Sequence, residues 1–323
     1  MQKQSRRKFI KASAVMMSAT ALPVYALPND SIRVGIVGLD TSHSPAFAEL
    51  FSSGKPGFEG FKVVAACAKG SDDIPSSVNR IPEYTEKVKK FGVEIVPSVA
   101  DVIRKSDVVL LETNDGRPHL KQASEIIQAG KKLFIDKPVA ASLKEVKSIY
   151  AEAEKYKVPV FSSSSLRYLP VAQEVRYQNR IGKVLACDAY SPATLEPTHP
   201  DLFWYGIHGV EILFTVMGSG CATVQRTTTQ DTELVVGKWN DGRIGTFRGM
   251  RSGKHDYGGI AFGTDGNLSL GSFEGYEPLA KKIAEFFRSG IPPVQPAETI
   301  EIYAFMDAAD RSKQAGGSVV SLS

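Results

Sequence analysis

The stretch VGIVGLDTSHS, residues 34–44, decides how the chain is read. An apolar run, Ile32 to Val37, meets Gly38 in the manner of the first strand and turn of a dinucleotide-binding unit. The G-x-G-x-x-G pattern of such a turn asks for glycine again at positions 40 and 43, where the chain has Asp40 and His43. A carboxylate beside a pyrophosphate costs about 1 kcal/mol in water and more where solvent is partly excluded. Three readings of DTSH stay open. It is a rebuilt phosphate turn using the Thr41 and Ser42 hydroxyls, a helix cap by Asp40 or Ser42 with Pro45 in the first turn, or a place where Asp40 and His43 face a substrate cleft.

Outward from this turn, short apolar runs alternate with amphipathic stretches. A helix begins near Pro45; FKVVAAC, VEIVPS, DVVLLET, KLFIDKP and VPVFSSS read as strands; Val99 to Lys105, HLKQASEIIQAG and SLKEVKSIYAEAEKYK read as helices. Alternation of this kind implies parallel strands joined by right-handed crossovers, a doubly wound sheet. Ser142, with Glu145 three residues on, forms a capping box, and Gly130 is a helix stop. From about Leu166 the pattern changes to one helix, LPVAQEVRYQNR, a strand near Gly182 to Tyr190, a helix after Gly206 and several strands. Hairpin turns are marked by Asn240-Asp241-Gly242 and Asp265-Gly266, and helices near Tyr276 to Ser289 and Ala297 to Ala315 follow. The second half therefore reads as an α+β domain with an open, mainly antiparallel sheet. The division is 29–165 and 166–323, after a leader at 1–28.

With 323 residues and 42% hydrophobic content the chain is globular. Its net charge of +4 belongs to the leader: Lys3, Arg6, Arg7, Lys8 and Lys11 stand there without an acid, and the remainder carries −1. No basic stripe marks a nucleic-acid partner. The apolar run ASAVMMSATAL is too short for a membrane span, and small residues offer cleavage after Ala21 or Ala26. SRRKFIK, residues 5–11, is similar to a twin-arginine export signal, which implies the export machinery as partner and a periplasmic or otherwise exported, already folded protein. Cys67, Cys187 and Cys221 contain no C-x-x-C pair and read as buried thiols. No metal site is read from the sequence.

Two short motifs carry chemistry. LFIDKP, residues 133–138, delivers Asp136 and Lys137 to the carboxyl end of a buried strand, where ligands of open α/β sheets sit. A partly desolvated lysine there can exchange a proton, although for the tripeptide by itself a surface turn is the plainer reading. In WYGIHGVEILFTVMG, residues 204–218, His208 and Glu211 share a helix face. A histidine near a helix N-terminus is biased to its neutral form, and a packed core histidine is the plainer alternative.

In order and spacing these motifs resemble the glucose-fructose oxidoreductase, inositol dehydrogenase and MocA (Gfo/Idh/MocA) family. AGKKLFIDKP, LRYLPVAQEV, RIGKV, GIHGVEILFTVMG, GTDGNLSL and AADRSKQAGGSVVSL fall in the family's order. The resemblance implies a Rossmann domain, an open-sheet domain, and a nicotinamide cofactor between them above a sugar or polyol. It implies catalytic roles for Lys137 and His208. It implies cofactor contacts from Gly35, Gly38, Asp40, Thr41, Ser42, His43, Lys69, Ser71, Thr113, Asn114, Asp136 and Lys137, and substrate contacts from Arg167, Tyr168, Trp204 and Glu211. Self-association through the open sheet is a further expectation.

Besides Asp40 and His43 in the first turn and Asp136 in place of the usual Glu, the chain departs from the family in two further places. Trp204 stands where an aspartate often precedes the histidine, so a proton relay would be absent or rebuilt around Glu211 or His199. No carboxylate follows the second strand; Ala68, Lys69, Gly70 and Ser71 stand there, which tilts the expectation from NAD to NADP. Net dehydrogenation is the first expectation. The alternatives are a redox-assisted sugar lyase or glycosidase that recycles its cofactor, and a non-catalytic sugar-binding protein on the same fold.

Overall fold

The structure, a computed structural model, describes residues 31–322; the leader and its export motif lie outside the described residues. Six strands form one parallel sheet: β1 (Ile32–Val37), β2 (Phe61–Cys67), β3 (Glu94–Ile95), β4 (Val108–Leu111), β5 (Lys132–Ile135) and β6 (Val160–Ser162). Their order is β3-β2-β1-β4-β5-β6, and the reversal beside β1 places a crevice above the carboxyl ends of β1 and β4. The crossover helices are α1 (His43–Ser52), α2 (Pro75–Lys89), α3 (Val99–Lys105), α4 (His119–Gln128) and α5 (Leu143–Tyr156). Ser142 caps α5 by accepting from the Glu145 N–H, and Gly130 takes a left-handed φ of 72° after α4, both as the sequence implies. Helix α2 escapes the hydrophobic pattern because its residues are mostly polar and Pro82 sits in its interior.

After α6 (Pro170–Tyr177) come β7 (Val184–Pro192), α7 (Ile207–Met217), β8 (Cys221–Thr228), β9 (Thr232–Trp239), β10 (Ile244–Met250), β11 (Gly258–Gly263) and β12 (Gly266–Ser269). Helices α8 (Glu277–Ser289) and α9 (Pro296–Gln314) and strand β13 (Val320–Ser321) follow. The second sheet runs β12-β11-β7-β10-β9-β8-β13; both expected hairpins are present, and β7 and β10 add one parallel pair. Every residue of α7 is buried, so the helix is walled on all sides and carries His208 inside the protein. All three cysteines are free and buried.

Helix α8, late in the chain, packs back on the nucleotide-binding sheet. Phe286 and Phe287 meet Phe161 and Phe51, and Leu279 and Ile283 join the core of Val34, Ile36, Phe47 and Phe134. Each such fully buried side chain contributes about 1.5–3 kcal/mol. The Lys132 ammonium donates to the Phe287 carbonyl at 2.6 Å. Among the described residues no helix is long and apolar enough to cross a membrane.

Candidate active site

Gly38 begins the site. Its φ of 93° suits glycine, and a Cβ there would lie 2.4 Å from the Thr113 backbone nitrogen, so β1 and β4 can leave the sheet side by side only with glycine. Gly35 serves packing instead, since a Cβ would lie 2.4 Å from Val102 of α3. It makes no part of a cofactor surface.

Asp40 is turned inward. Its carboxylate accepts from the Asn114 N–H at 3.0 Å and from the Ser77 hydroxyl at 2.7 Å, and is fully buried. Burial raises its pKa in spite of these bonds. The residue that breaks the glycine fingerprint therefore ties together the turns after β1 and β4 and the start of α2, and neither caps α1 nor faces a ligand. Ser42 does not cap α1 either; its hydroxyl pairs with Tyr276 at 2.9 Å.

A cleft of about 420 Å³ opens beside this turn. Of the expected residues, Thr41, Ser42, His43, Asn114, Lys137, Trp204 and His208 line it. Lys137 arrives from the end of β5, its ammonium 5.5 Å over the Tyr205 ring. His208 arrives from α7, and Ser164, in the turn after β6, holds its Nδ1 at 2.7 Å, which leaves Nε2 for a ligand. A helical turn over residues 202–206 precedes α7, so His208 is not at a helix N-terminus. What keeps it neutral is burial, reinforced by Lys137 and His43, which hold its pKa well below 6.5. Aromatic walls from Tyr205, Tyr257, Phe273 and Tyr276, and Arg80 from α2, also line the cleft. Sequence reading missed these five because a ring or cation in a loop, a short helical turn or a polar helix has no periodic signal.

The remaining expected residues lie elsewhere. Arg167 is buried between Glu211 and Glu298, meeting the latter at 2.8 Å, and Arg176 holds the other Glu298 oxygen at 2.7 Å. This network joins α6, α7 and α9, so Arg167 and Glu211 are structural and the expected relay through Glu211 is not built. Tyr168 is buried in the same region, outside the cleft. His199 accepts from the Gly116 N–H at 3.0 Å and stacks on Trp204 at 4.9 Å, serving the loop after β4 rather than His208. Lys69 is exposed and Thr113 is buried, and neither lines the cleft. The Ser71 hydroxyl donates to Asp115. Asp115, also held by Arg117 and approached by His199, stays ionised well below the usual carboxylate range.

Below the cleft, Asp136 and Glu112 are both fully buried, and His43 Nδ1 lies 3.0 Å from an Asp136 oxygen. Burial first and Asp136 second push the Glu112 carboxyl well above its usual range. Burial opposes the charge on Asp136 too, but His43 and Lys137 hold it low. Asp136 thus faces His43 and touches no cleft surface.

Residues 32–164 match a family described as an oxidoreductase family with an NAD-binding Rossmann fold. A glycosyl hydrolase family 109 protein 2 of Shewanella sp. (strain ANA-3) is 25% identical over 172 residues, 46% of this chain and 37% of that protein. The match therefore spans well under half the length of that relative. Among solved structures, myo-inositol 2-dehydrogenase from Lactobacillus plantarum superposes with a TM-score of 0.74 at 18% identity, covering 91% of this chain and 100% of that one. Scyllo-inositol dehydrogenase from Lactobacillus casei, solved with NAD(H) and scyllo-inositol, gives 0.71 at 16%, covering 91% and 99%. At such identities the likeness establishes the fold, in both halves.

Proposed function

We propose that this chain, whose residues 32–164 form a Gfo/Idh/MocA-type Rossmann domain, is an NAD(P)-dependent oxidoreductase acting on a sugar or polyol. The observation that carries this reading is the convergence of Lys137 and His208, from β5 and α7, on one cleft that also receives the start of α1. The residues fit a dinucleotide: no Ser42 cap occupies the N-terminus of α1, the Thr41 and Ser42 hydroxyls and Arg80 border the cleft, and Asp40 is turned away. When bound, the nicotinamide supplies hydride transfer to or from a substrate carbon.

The chain's own groups handle the proton. His208 Nε2 faces the cleft while Ser164 bonds Nδ1, and a hydroxyl either donates or accepts there. With Ser164 accepting from Nδ1–H, Nε2 is the base that takes the alcohol proton on oxidation, and the imidazolium so formed is the acid that returns that proton on reduction. The Lys137 ammonium orients and polarises the same oxygen. The aromatic walls supply faces for the apolar side of a sugar ring and limit water.

Acid extraction of the full-length protein followed by mass spectrometry, with dehydrogenase assays over a sugar and polyol panel, tests the reading. Nucleotide near one per chain and reduced cofactor from one substrate class are expected. No nucleotide, no binding on titration and no turnover would leave the non-catalytic alternative standing.

Two predictions follow from the electrostatics. Neutral His208 is needed for oxidation and its pKa is depressed, so activity persists as pH falls and is lost only on passing a value below 6.5. A pH profile of kcat/KM reads that limb; a limb at or above 6.5 contradicts the assignment. Asp115 and Asp73 flank Arg117 beside Ser71, near the end of β2, so this group carries net −1 and disfavours a 2′-phosphate. This reverses the preference drawn from Lys69 and Ser71. NAD is expected to bind more tightly than NADP, and Asp115→Asn to narrow the ratio about tenfold in fluorescence titrations.

The glycosyl hydrolase relative supports a second reading, in which oxidation is transient and a glycosidic bond is cleaved with the cofactor recycled. Cleaved glycoside without net reduced cofactor would favour it. The twin-arginine-like leader supports export of the folded protein to the periplasm with nucleotide already loaded. Exposed Tyr190, Ile244 and Ile260 on the outer face of the second sheet support self-association there.

A further inference from the structure

We propose that His43, Glu112 and Asp136 form a binding site for a divalent transition-metal cation, of the zinc or manganese class, at the floor of the cleft. The three side chains come from the start of α1 and the carboxyl ends of β4 and β5, which are neighbours in the sheet or in the turn beside it. Their ligand atoms all lie within 4.8 Å of one another. His43 Nδ1 is 3.0 Å from Asp136 Oδ1 and 3.9 Å from Glu112 Oε2. Bonds of about 2.0–2.2 Å in tetrahedral geometry put ligand atoms about 3.4 Å apart, between those two distances.

A second observation points to a ligand. Glu112 has no exposed surface, yet neither of its oxygens has a hydrogen-bond partner among the described residues, and Asp136 Oδ2 is in the same position. Three carboxylate oxygens left without a donor at one point in a protein interior are costly, and one cation bound between them and His43 satisfies the set. Two carboxylates and a neutral imidazole balance a dication in charge. One nitrogen with two oxygens suits zinc or manganese better than calcium, which takes six to eight oxygens. His43 alone of the three also lines the cleft, so the open coordination position belongs to water or to a substrate oxygen beside Lys137 and His208. The site does not depend on the nicotinamide reading, because its ligands lie beneath the phosphate turn.

The test uses full-length protein carrying no histidine tag, stripped with a chelator and dialysed. Zn²⁺ is titrated by calorimetry and against a chromophoric chelator, and Mn²⁺ by electron paramagnetic resonance. One ion per chain with Kd below about 1 µM is expected, with a thermal midpoint that rises with metal concentration. Glu112→Gln and His43→Gln are each expected to weaken binding at least about tenfold. The metal-free thermal midpoint of each variant, compared with stripped wild type, shows that it is folded; if one fails to fold, the other decides. Absence of saturable Zn²⁺ and Mn²⁺ binding to wild type overturns the proposal. So does binding that a folded variant leaves unchanged, since the ion then sits elsewhere and the two acids share a proton instead. Nucleotide content is a separate readout, so either reading can fail alone.

Discussion

Lys137→Ala is expected to lower kcat by about 10²–10⁴-fold on the sugar or polyol that a panel identifies, and His208→Asn to do the same. Both groups line one cleft, Lys137 from β5 and His208 from α7 with Ser164 behind it, and in the proposed mechanism they act on one oxygen. Removing the second after the first should therefore cost little more, because residues that act as a unit are not additive. Nucleotide affinity should stay within a few-fold, since the turn at Thr41 and Ser42, the proposed phosphate contact, is untouched. Steady-state kinetics of the two single variants and the double variant, with fluorescence titration of the nucleotide, check both statements. Wild-type kcat in both single variants would remove the catalytic reading of the cleft and favour a binding protein on this fold.

The second large effect is on stability. Arg167→Ala should cost about 3–5 kcal/mol, because Glu211 and Glu298 would be left buried and without their main cation. Arg176 still reaches Glu298, so the larger loss falls on Glu211 and the packing of α7. Urea unfolding measures the change, and kcat and KM of the protein that remains folded should match wild type. A stability change under about 0.5 kcal/mol with a raised KM would instead return Arg167 to the substrate, as the family resemblance implies.

These two predictions separate what a motif says from what its surroundings say. The Arg167-Tyr168 pair and Glu211 stand where the resemblance implies substrate contacts, yet a buried arginine with two carboxylates in reach pairs with them, and nothing in a linear sequence gives the direction of those side chains. His208 was legible as a residue but not for the right reason. The sequence suggested a helix N-terminus, whereas a preceding helical turn and complete burial of α7 set its charge.

The sequence by itself determined the alternation of strands and helices, the caps at Ser142 and Gly130, both hairpin turns, Gly38, and the delivery of Lys137 and His208. All of these follow from local physics: hydrophobic period, turn conformation and capping geometry act over a few residues. Packing of the whole chain sets the rest: that Asp40 faces inward, that α8 returns to the first sheet, that Arg80 and four aromatic residues line the cleft with Lys137 and His208, and that His43, Glu112 and Asp136 meet. Those depend on which strand ends lie side by side and which groups lose water, and desolvation is a property of the packed chain that no short stretch contains.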